Sequence, residues 1–169
     1  MQRFALLGAG FIGSVHARNL AENPQVEFVS VYDAAADRAA AIAGQYGAKA
    51  AASVDEAIDG VDAVFIASST NTHAANLKAA VDAGVAALCE KPIDLSLERA
   101  REVVEYAKGA KVMVNFNRRF DPDHAELKRI VDAGGVGTVE LVQLTSRGPE
   151  VPQLEYVKVS GGQMRDQTV

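Results

Sequence analysis

The feature of this sequence that most constrains its fold is a glycine-rich segment near the amino terminus, Gly8-Ala9-Gly10-Phe11-Ile12-Gly13. It follows a short apolar run, Phe4 to Leu7, which is typical of a strand buried on both faces. Apolar residues at helical spacing come after it, and Asp33 ends the next predicted strand about 20 residues after Gly13. A G-x-G-x-x-G pattern in this strand–turn–helix context predicts a dinucleotide-binding βαβ unit.

The glycines of this segment have distinct expected tasks. Gly8 allows the tight turn, Gly10 lets the backbone approach a pyrophosphate, and Gly13 lets the helix pack closely on the strand. The free N–H groups and the dipole at the start of the helix attract the anion. Phe11 and Ile12 lie between these glycines, and we expect them to contact the same cofactor.

Asp33 indicates which dinucleotide is preferred. Its carboxylate would accept hydrogen bonds from the adenosine ribose hydroxyls and would repel a 2′-phosphate, which favours NAD over NADP. Arg38 lies about one helical turn further on, is a candidate cofactor contact, and is the cation that would soften this preference. Two other interpretations stay open: glycines that serve only a turn, with Asp33 as a helix cap, and a methyltransferase that binds its nucleotide cofactor at a similar loop.

Strand and helix patterns alternate through the first two thirds of the chain. Because helices of ten or more residues separate most of the predicted strands, the strands are expected to be parallel. The predicted fold class is α/β: a doubly wound Rossmann sheet over residues 1–118, then the start of a second α/β domain with an open sheet over 119–169. The predicted strands are residues 4–7, 26–32, 61–67, 85–89, 112–114 and 138–145; the main predicted helices begin near residues 12, 34, 73, 97 and 122.

Local signals refine these helices. Ser53 and Glu56 fit a capping box, and Asp121-Pro122 fits an N-cap followed by proline in the first helical position. Two apolar stripes are expected to face inward. They are Leu97, Ala100, Val103, Val104 and Ala107 in one helix, and Leu127, Ile130 and Val131 in the next.

Composition excludes several classes of protein. The chain has 169 residues, 49% of them hydrophobic, and a formal net charge of −5. It therefore lacks a global basic field that would attract nucleic acid or a membrane surface. Cys89 is its one cysteine, so neither an internal disulfide nor a Cys/His zinc site is predicted. A reduced, cytoplasmic setting without a membrane span is the expectation.

A second motif, Cys89-Glu90-Lys91-Pro92, ends a predicted parallel strand. In open α/β sheets this edge is where ligands bind, and a lysine there can stabilise negative charge on a substrate oxygen. By itself a Lys-Pro pair is more often a solvated turn. Together with the glycine loop and the segment Asn117-Arg118-Arg119-Phe120-Asp121-Pro122, however, the sequence resembles the glucose-fructose oxidoreductase/inositol dehydrogenase/MocA family over its whole length.

The resemblance implies an oxidoreductase that uses NAD to oxidise a ring hydroxyl of a polyol or sugar to a ketone, in a homo-oligomer that is often a tetramer. Lys91 matches the catalytic lysine of the family, and its bond to Pro92 is expected to be cis. Asp166 matches the catalytic aspartate. Positions that match the lining of the nicotinamide half of the cofactor are Ser68, Thr70, Asn71, His73 and Glu90.

In the family pattern a histidine that acts as general base follows the aspartate by four residues, which is beyond Val169. A chain that stops before its base is therefore expected from the resemblance. The competing hypothesis is an NAD-binding module without catalysis.

Overall fold

The computed structural model describes residues 1–145 together with residues 147, 151, 157, 160 and 162. Asp166 lies outside these described residues. The strands are β1 (Gln2–Leu7), β2 (Val26–Tyr32), β3 (Lys49–Ala50), β4 (Ala63–Ile66), β5 (Ala86–Glu90) and β6 (Val112–Asn115). The helices are α1 (Phe11–Glu22), α2 (Ala36–Tyr46), α3 (Val54–Ile58), α4 (Thr70–Asp82), α5 (Leu97–Tyr106) and α6 (Pro122–Asp132), with a 3₁₀ turn at Asn117–Phe120.

The six strands form one sheet in the order β3-β2-β1-β4-β5-β6, and all neighbours pair in parallel. The chain moves outward from β1 to β3, returns to the centre at β4, and then moves outward on the other side. This order is that of the doubly wound Rossmann fold, and its reversal between β1 and β4 opens a crevice at the carboxyl ends of these strands. The predicted doubly wound Rossmann sheet is confirmed, and the second domain over residues 119–169 stays a prediction.

Apolar residues cover both faces of the sheet, as a sheet with helices on both sides requires. On one face Leu7, Val64 and Ile66 pack with Leu77 and Val103. On the other face the core cluster comprises Leu6, Ala9, Ala17, Leu20, Val31, Ala39, Ile42, Ala43, Phe65 and Ala67. Strands buried on both faces read in sequence as continuous apolar runs, which is why β1 and β4 were predictable.

Helix ends follow the local signals closely. The Ser53 hydroxyl accepts a hydrogen bond from the Glu56 N–H at 3.1 Å, so the predicted N-cap of α3 is confirmed. The Glu56 carboxylate accepts from the Ala52 N–H instead of the Ser53 N–H, so the reciprocal half of the box is shifted by one residue. The Asp121 carboxylate accepts from the N–H groups of Asp123 and His124, which confirms the N-cap of α6.

The structure differs from the sequence predictions at three places. α4 begins at Thr70 and not near His73, because the polar Ser-Thr-Asn-Thr run, predicted as a loop, forms its first turn. β3 was not predicted, since two residues are too short for a periodic pattern. Residues 138–145 form no strand, because a β-rich run needs a neighbouring strand to pair with and none lies beside it in the described part of the chain.

The two predicted apolar stripes are only partly buried. Val103 of α5 is buried, whereas Leu97 and Val104 are exposed. α6 has no buried residue, and its Leu127 is 52% exposed. Periodicity correctly located both helices, but their apolar faces find little to cover them in the described residues. Within those residues, no helix is long and apolar enough to cross a membrane.

Candidate active site at the carboxyl edge of the sheet

Four strands of the parallel sheet deliver the candidate site residues to one edge. Gly8 directly follows β1, and Asp33 directly follows β2. Ser68 lies two residues after the end of β4, and Glu90 is the last residue of β5, with Lys91 directly after it. Because the strands are parallel and paired in register, their carboxyl ends meet at the crevice beside the β1–β4 reversal. Residues far apart in sequence are thereby collected at one end of the molecule.

The glycine loop has the close contacts that its sequence predicts. Gly8 has φ +104°, and a Cβ there would lie 2.5 Å from the backbone of Ala67. A Cβ on Gly13 would lie 2.1 Å from the Gly8 carbonyl oxygen, so α1 and the loop touch through their backbones. These two glycines are required by the packing of the protein itself.

Gly10 differs from its two neighbours in the motif. A Cβ there would meet nothing within 4 Å, so the loop leaves open space above this residue. Gly10 directly precedes α1 and no side chain caps that helix, which leaves its first N–H groups directed at the same space. Open space next to uncapped helix N–H groups fits a pyrophosphate.

Asp33 contributes to the shape of the loop as well as to its charge. Its Oδ2 accepts a hydrogen bond from the Ala9 N–H at 2.7 Å, and its Oδ1 accepts from the Ala35 N–H at 2.8 Å. Each carboxylate oxygen has a further lone pair, so acceptance from ribose hydroxyls stays compatible with these bonds. Arg38 lies in the first turn of α2 and is exposed.

His73 joins the segments that follow β4 and β5. Its ring is buried, with Nε2 2.9 Å from the Ser68 carbonyl oxygen and Nδ1 2.8 Å from the Pro92 carbonyl oxygen. A neutral imidazole has one N–H and donates to one of these carbonyls at a time, whereas the imidazolium donates to both. His73 therefore acts from beneath the surface and fixes the two loops that flank the crevice.

The hydroxyl of Ser68 belongs to the same local network. It bonds the Thr72 hydroxyl at 2.7 Å and accepts from the Asn76 amide at 3.0 Å. Thr70 and Asn71 stand in the first turn of α4, and Asn71 is exposed toward solvent. This polar turn has side chains available on its outer surface while its inner side is held by hydrogen bonds.

Glu90 is the most highly bonded acid of the site. Its Oε1 accepts from His16 Nε2 at 2.8 Å and from the Asn115 amide at 2.7 Å. The backbone N–H of Lys91 also bonds its carboxylate. Burial raises the pKa of Glu90, but the hydrogen bonds from His16 and Asn115 and the charge of His16 outweigh burial, so its pKa lies below the usual value. The carboxylate is therefore ionised at neutral pH.

Lys91 is half-buried, and the peptide bond between Lys91 and Pro92 is cis, as the resemblance implies. Lys91 directly follows Glu90, the last residue of β5. Cys89, in the same strand, is fully buried; burial, and then the negative charge of Glu90, raises the pKa of its thiol to about 12. A thiol in that state is a core residue and not a nucleophile.

The structure thus brings together at one edge the predicted residues of the glycine loop, Asp33, the Ser68 turn, His73, Glu90 and Lys91. Sequence reasoning missed Asn115 and gave His16 no partner. Both had a usable signal, because Asn115 is the polar end of a predicted strand and His16 lies one turn after the glycine loop.

Two other features do not add chemistry to the site. No group of three or more His, Cys, Asp or Glu side chains could hold a metal ion among the residues that the structure describes. A groove between α3 and α4 lies at the amino ends of β4 and β5, beside Val61 and Val85, on the edge of the sheet opposite the glycine loop.

Comparison with known proteins agrees with this geometry. Residues 2–118 match the family described as "Oxidoreductase family, NAD-binding Rossmann fold". Inositol 2-dehydrogenase of Rhizobium meliloti is 47% identical over 99% of this chain and 52% of its own length. Myo-inositol 2-dehydrogenase of Thermotoga maritima is 37% identical over 99% of this chain and 52% of its own length. The chain thus spans about half the length of the curated relatives it matches.

Solved structures give the same relationship. The crystal structure of a putative myo-inositol dehydrogenase from Sinorhizobium meliloti has a TM-score of 0.91 and 45% identity, over 99% of this chain and 52% of that one. Scyllo-inositol dehydrogenase of Lactobacillus casei, solved with NAD(H) and scyllo-inositol, has a TM-score of 0.74 and 26% identity, over 81% and 42%. The chain belongs to the glucose-fructose oxidoreductase/inositol dehydrogenase/MocA family of oxidoreductases, with its NAD-binding Rossmann fold.

Proposed function

We propose that this protein is an NAD-dependent oxidoreductase of the inositol dehydrogenase type. It would oxidise a ring hydroxyl of myo-inositol, or of a related polyol or sugar, to a ketone. The observation that carries the proposal is the convergence at one sheet edge of an open glycine loop and the Lys91 turn. The inositol dehydrogenases among its relatives support the choice of substrate class.

In this proposal the cofactor lies across the β1–β4 crevice. Gly10 and the first turn of α1 hold the pyrophosphate, and Asp33 holds the adenosine ribose. Phe11 is 88% exposed and Ile12 is also exposed, so both side chains are available to cover the cofactor. The remaining residues assigned to the cofactor are Gly8, Gly13, Arg38, Ser68, Thr70, Asn71, His73, Glu90 and Lys91.

NAD held by these residues would supply the hydride acceptor for the carbon that carries the substrate hydroxyl. Lys91 would orient that hydroxyl and stabilise the negative charge that develops on its oxygen as the proton leaves. Asp166 is proposed to support the general base. The Ser68 and Pro92 segments that flank the crevice would keep a fixed separation, because the His73 ring bonds the backbone of both.

The test follows binding and turnover in the same preparation. The chain is titrated with NAD and then incubated with NAD and myo-inositol while NADH absorbance is recorded. We expect the chain to bind NAD. NADH is expected to form when the protein also carries the general base, which the resemblance places beyond Val169. Lys91→Met should abolish turnover, whereas Lys128→Met, on the exposed face of α6 in an ion pair with Asp132, should leave it unchanged.

The two hypotheses separate in this experiment. NAD binding without turnover would favour the NAD-binding module. Absence of NAD binding would overturn both. For the whole protein we propose a homotetramer, which light scattering on the whole protein would measure.

A further inference from the structure

We infer that His16, Glu90 and Asn115 form a positioning cluster, here called the Glu90 cluster, which fixes the Lys91 turn relative to the helix that follows the glycine loop. The cluster would thereby set the nicotinamide half of NAD in register with the pyrophosphate. This inference rests on the proposed function, since it concerns how the same site holds the same cofactor.

The contacts of the cluster join three elements of the fold. His16 belongs to α1, Glu90 ends β5 and Asn115 ends β6. Both donors reach the same oxygen, Glu90 Oε1, at 2.8 and 2.7 Å. Because β5 and β6 are adjacent and Glu90 pairs with Asn115 in the strand register, the second contact crosses neighbouring strands. The first contact spans from the sheet to the pyrophosphate-binding helix.

The cluster is held in place by its surroundings. The imidazole of His16 stacks on the ring of Phe65 in β4, with ring centroids 3.8 Å apart. The side chains of His16 and Glu90 are each 11% exposed. A ring that is stacked and buried cannot rotate freely, so the direction of its Nε2 toward Glu90 is set by the core.

The cluster reaches Lys91 through the backbone. The Lys91 N–H bonds the Glu90 carboxylate, so the acid that receives His16 and Asn115 also restrains the start of the Lys91 turn. His16 and Asn115 need not touch cofactor or substrate for this effect. They are positioning residues, and they act through Glu90 on the Lys91 turn and on α1.

The charge of Glu90 makes this arrangement specific. An ionised carboxylate accepts from three donors at once, and hydrogen bonds to a charged acceptor are about twice as strong as neutral ones. Glutamine of the same size has one neutral acceptor oxygen with two lone pairs, so it can serve at most two of the three donors. The substitution Glu90→Gln therefore removes the charge and at least one of the three hydrogen bonds with little change in volume.

The test compares NAD with adenosine diphosphate, which has the adenosine and the pyrophosphate but no nicotinamide. Each nucleotide is titrated by calorimetry against the wild-type chain and the variants. The readout is the dissociation constant of adenosine diphosphate divided by that of NAD, so the ratio falls when NAD alone binds more weakly. In Glu90→Gln we expect NAD to bind about tenfold more weakly, equivalent to losing about 1.4 kcal/mol. Adenosine diphosphate should bind within about twofold of the wild-type value, because the glycine loop is intact.

A matched pair at His16 tests the donor directly. His16→Gln keeps an N–H within reach and should largely retain the wild-type ratio, whereas His16→Leu should lower it as Glu90→Gln does. Glu56→Gln makes the same chemical change in an acid paired with Lys49 on the surface, and should leave the ratio unchanged. A merely structural role would weaken both nucleotides together and would not be rescued by glutamine at position 16.

Every outcome bears on the inference. The Glu90 cluster would be overturned as a positioning unit if Glu90→Gln left the ratio unchanged, including by weakening both nucleotides equally. A wild-type ratio near one would overturn it as well. Either result would leave NAD binding itself intact. Failure of the wild-type chain to bind either nucleotide would instead overturn the proposed function, and the inference with it. A ratio that falls in Glu90→Gln and His16→Leu alone is the expected result.

Discussion

The glycines of the nucleotide loop have two different physical roles that one motif does not distinguish. A side chain on Gly13 would collide with the Gly8 carbonyl at 2.1 Å, whereas one on Gly10 would project into open space. Gly13 is therefore required by the packing of the fold, whereas Gly10 is proposed to leave room for the ligand. Glycine therefore serves two different purposes within four positions, close packing at Gly13 and open space at Gly10.

Substitution by alanine should separate these roles. We expect Gly13→Ala to lower the free energy of unfolding by about 2 to 3 kcal/mol, the usual size of an overpacking effect. Gly10→Ala should change stability by less than about 0.5 kcal/mol yet weaken NAD binding at least tenfold, since the methyl group occupies the place of the pyrophosphate. Urea denaturation and NAD titration of both variants measure this. Equal stability losses in the two variants would contradict the distinction.

Cys89 shows how burial can make a thiol unreactive next to the Lys91 turn. Because the thiol is fully buried and its pKa is raised to about 12, the thiolate is scarce at pH 8. We expect the folded chain to react with iodoacetamide at least about a hundredfold more slowly than the chain in urea. Mass spectrometry of the labelled protein over time gives both rates. Similar rates in the two conditions would place Cys89 at a reactive surface.

At the scale of elements, equal capping signals have unequal consequences because packing differs. Ser53 caps α3, whose Ala57 and Ile58 are buried in the core. Asp121 caps α6, which has no buried residue. The stability of α3 is therefore coupled to that of the whole sheet, whereas α6 contributes little to the core.

Removing each cap should expose this difference. Ser53→Ala should lower the free energy of unfolding by about 1 kcal/mol. Asp121→Ala should leave it within about 0.3 kcal/mol while the amides of α6 exchange faster with solvent. Urea denaturation and hydrogen exchange measured by mass spectrometry report the two effects. A global loss from Asp121→Ala would mean that α6 packs more firmly than its exposure indicates.

The elements also show what sequence can and cannot predict. β1, β2 and α1 were predictable because their apolar periods and their ends are local properties. The absence of a strand at residues 138–145 was not predictable. A strand needs a partner to pair with, and the residues of the segment itself do not show whether that partner is present. The contact between His16, Glu90 and Asn115 depends on the order of the strands in the sheet. The sequence indicates that order only after the fold has been recognised.

At the scale of the whole molecule, the parallel sheet concentrates polar groups at one end and leaves the core apolar. Glu90 is a polar group at the boundary with the apolar core, since it is 9% exposed and yet ionised. Its lowered pKa links folding to pH. A group whose pKa is depressed in the folded state contributes stability above its unfolded pKa, and this contribution disappears as pH falls through the folded value.

The contribution of Glu90 should therefore be complete at pH 7 and should decline below about pH 4.5, the ordinary glutamate value. We expect Glu90→Gln to be less stable than wild type by about 1.5 to 3 kcal/mol at neutral pH, the range for hydrogen bonds to a charged acceptor. The difference between the two proteins should shrink as pH falls toward 3. Thermal unfolding of both proteins from pH 7 to pH 3 measures it.

Glu56→Gln is the control for this measurement as well, because Glu56 is solvated and its side-chain hydrogen bond to Lys49, which lowers its pKa, lies at the surface. Its curve should run close to wild type across the whole pH range, since a surface ion pair contributes little and glutamine can still accept from the Ala52 N–H. If the gap between wild type and Glu90→Gln stayed constant down to pH 3, the Glu90 side chain would be stabilising by packing alone. A gap that closes in acid would instead identify the carboxylate charge as what holds α1, β5 and β6 together at the candidate active site.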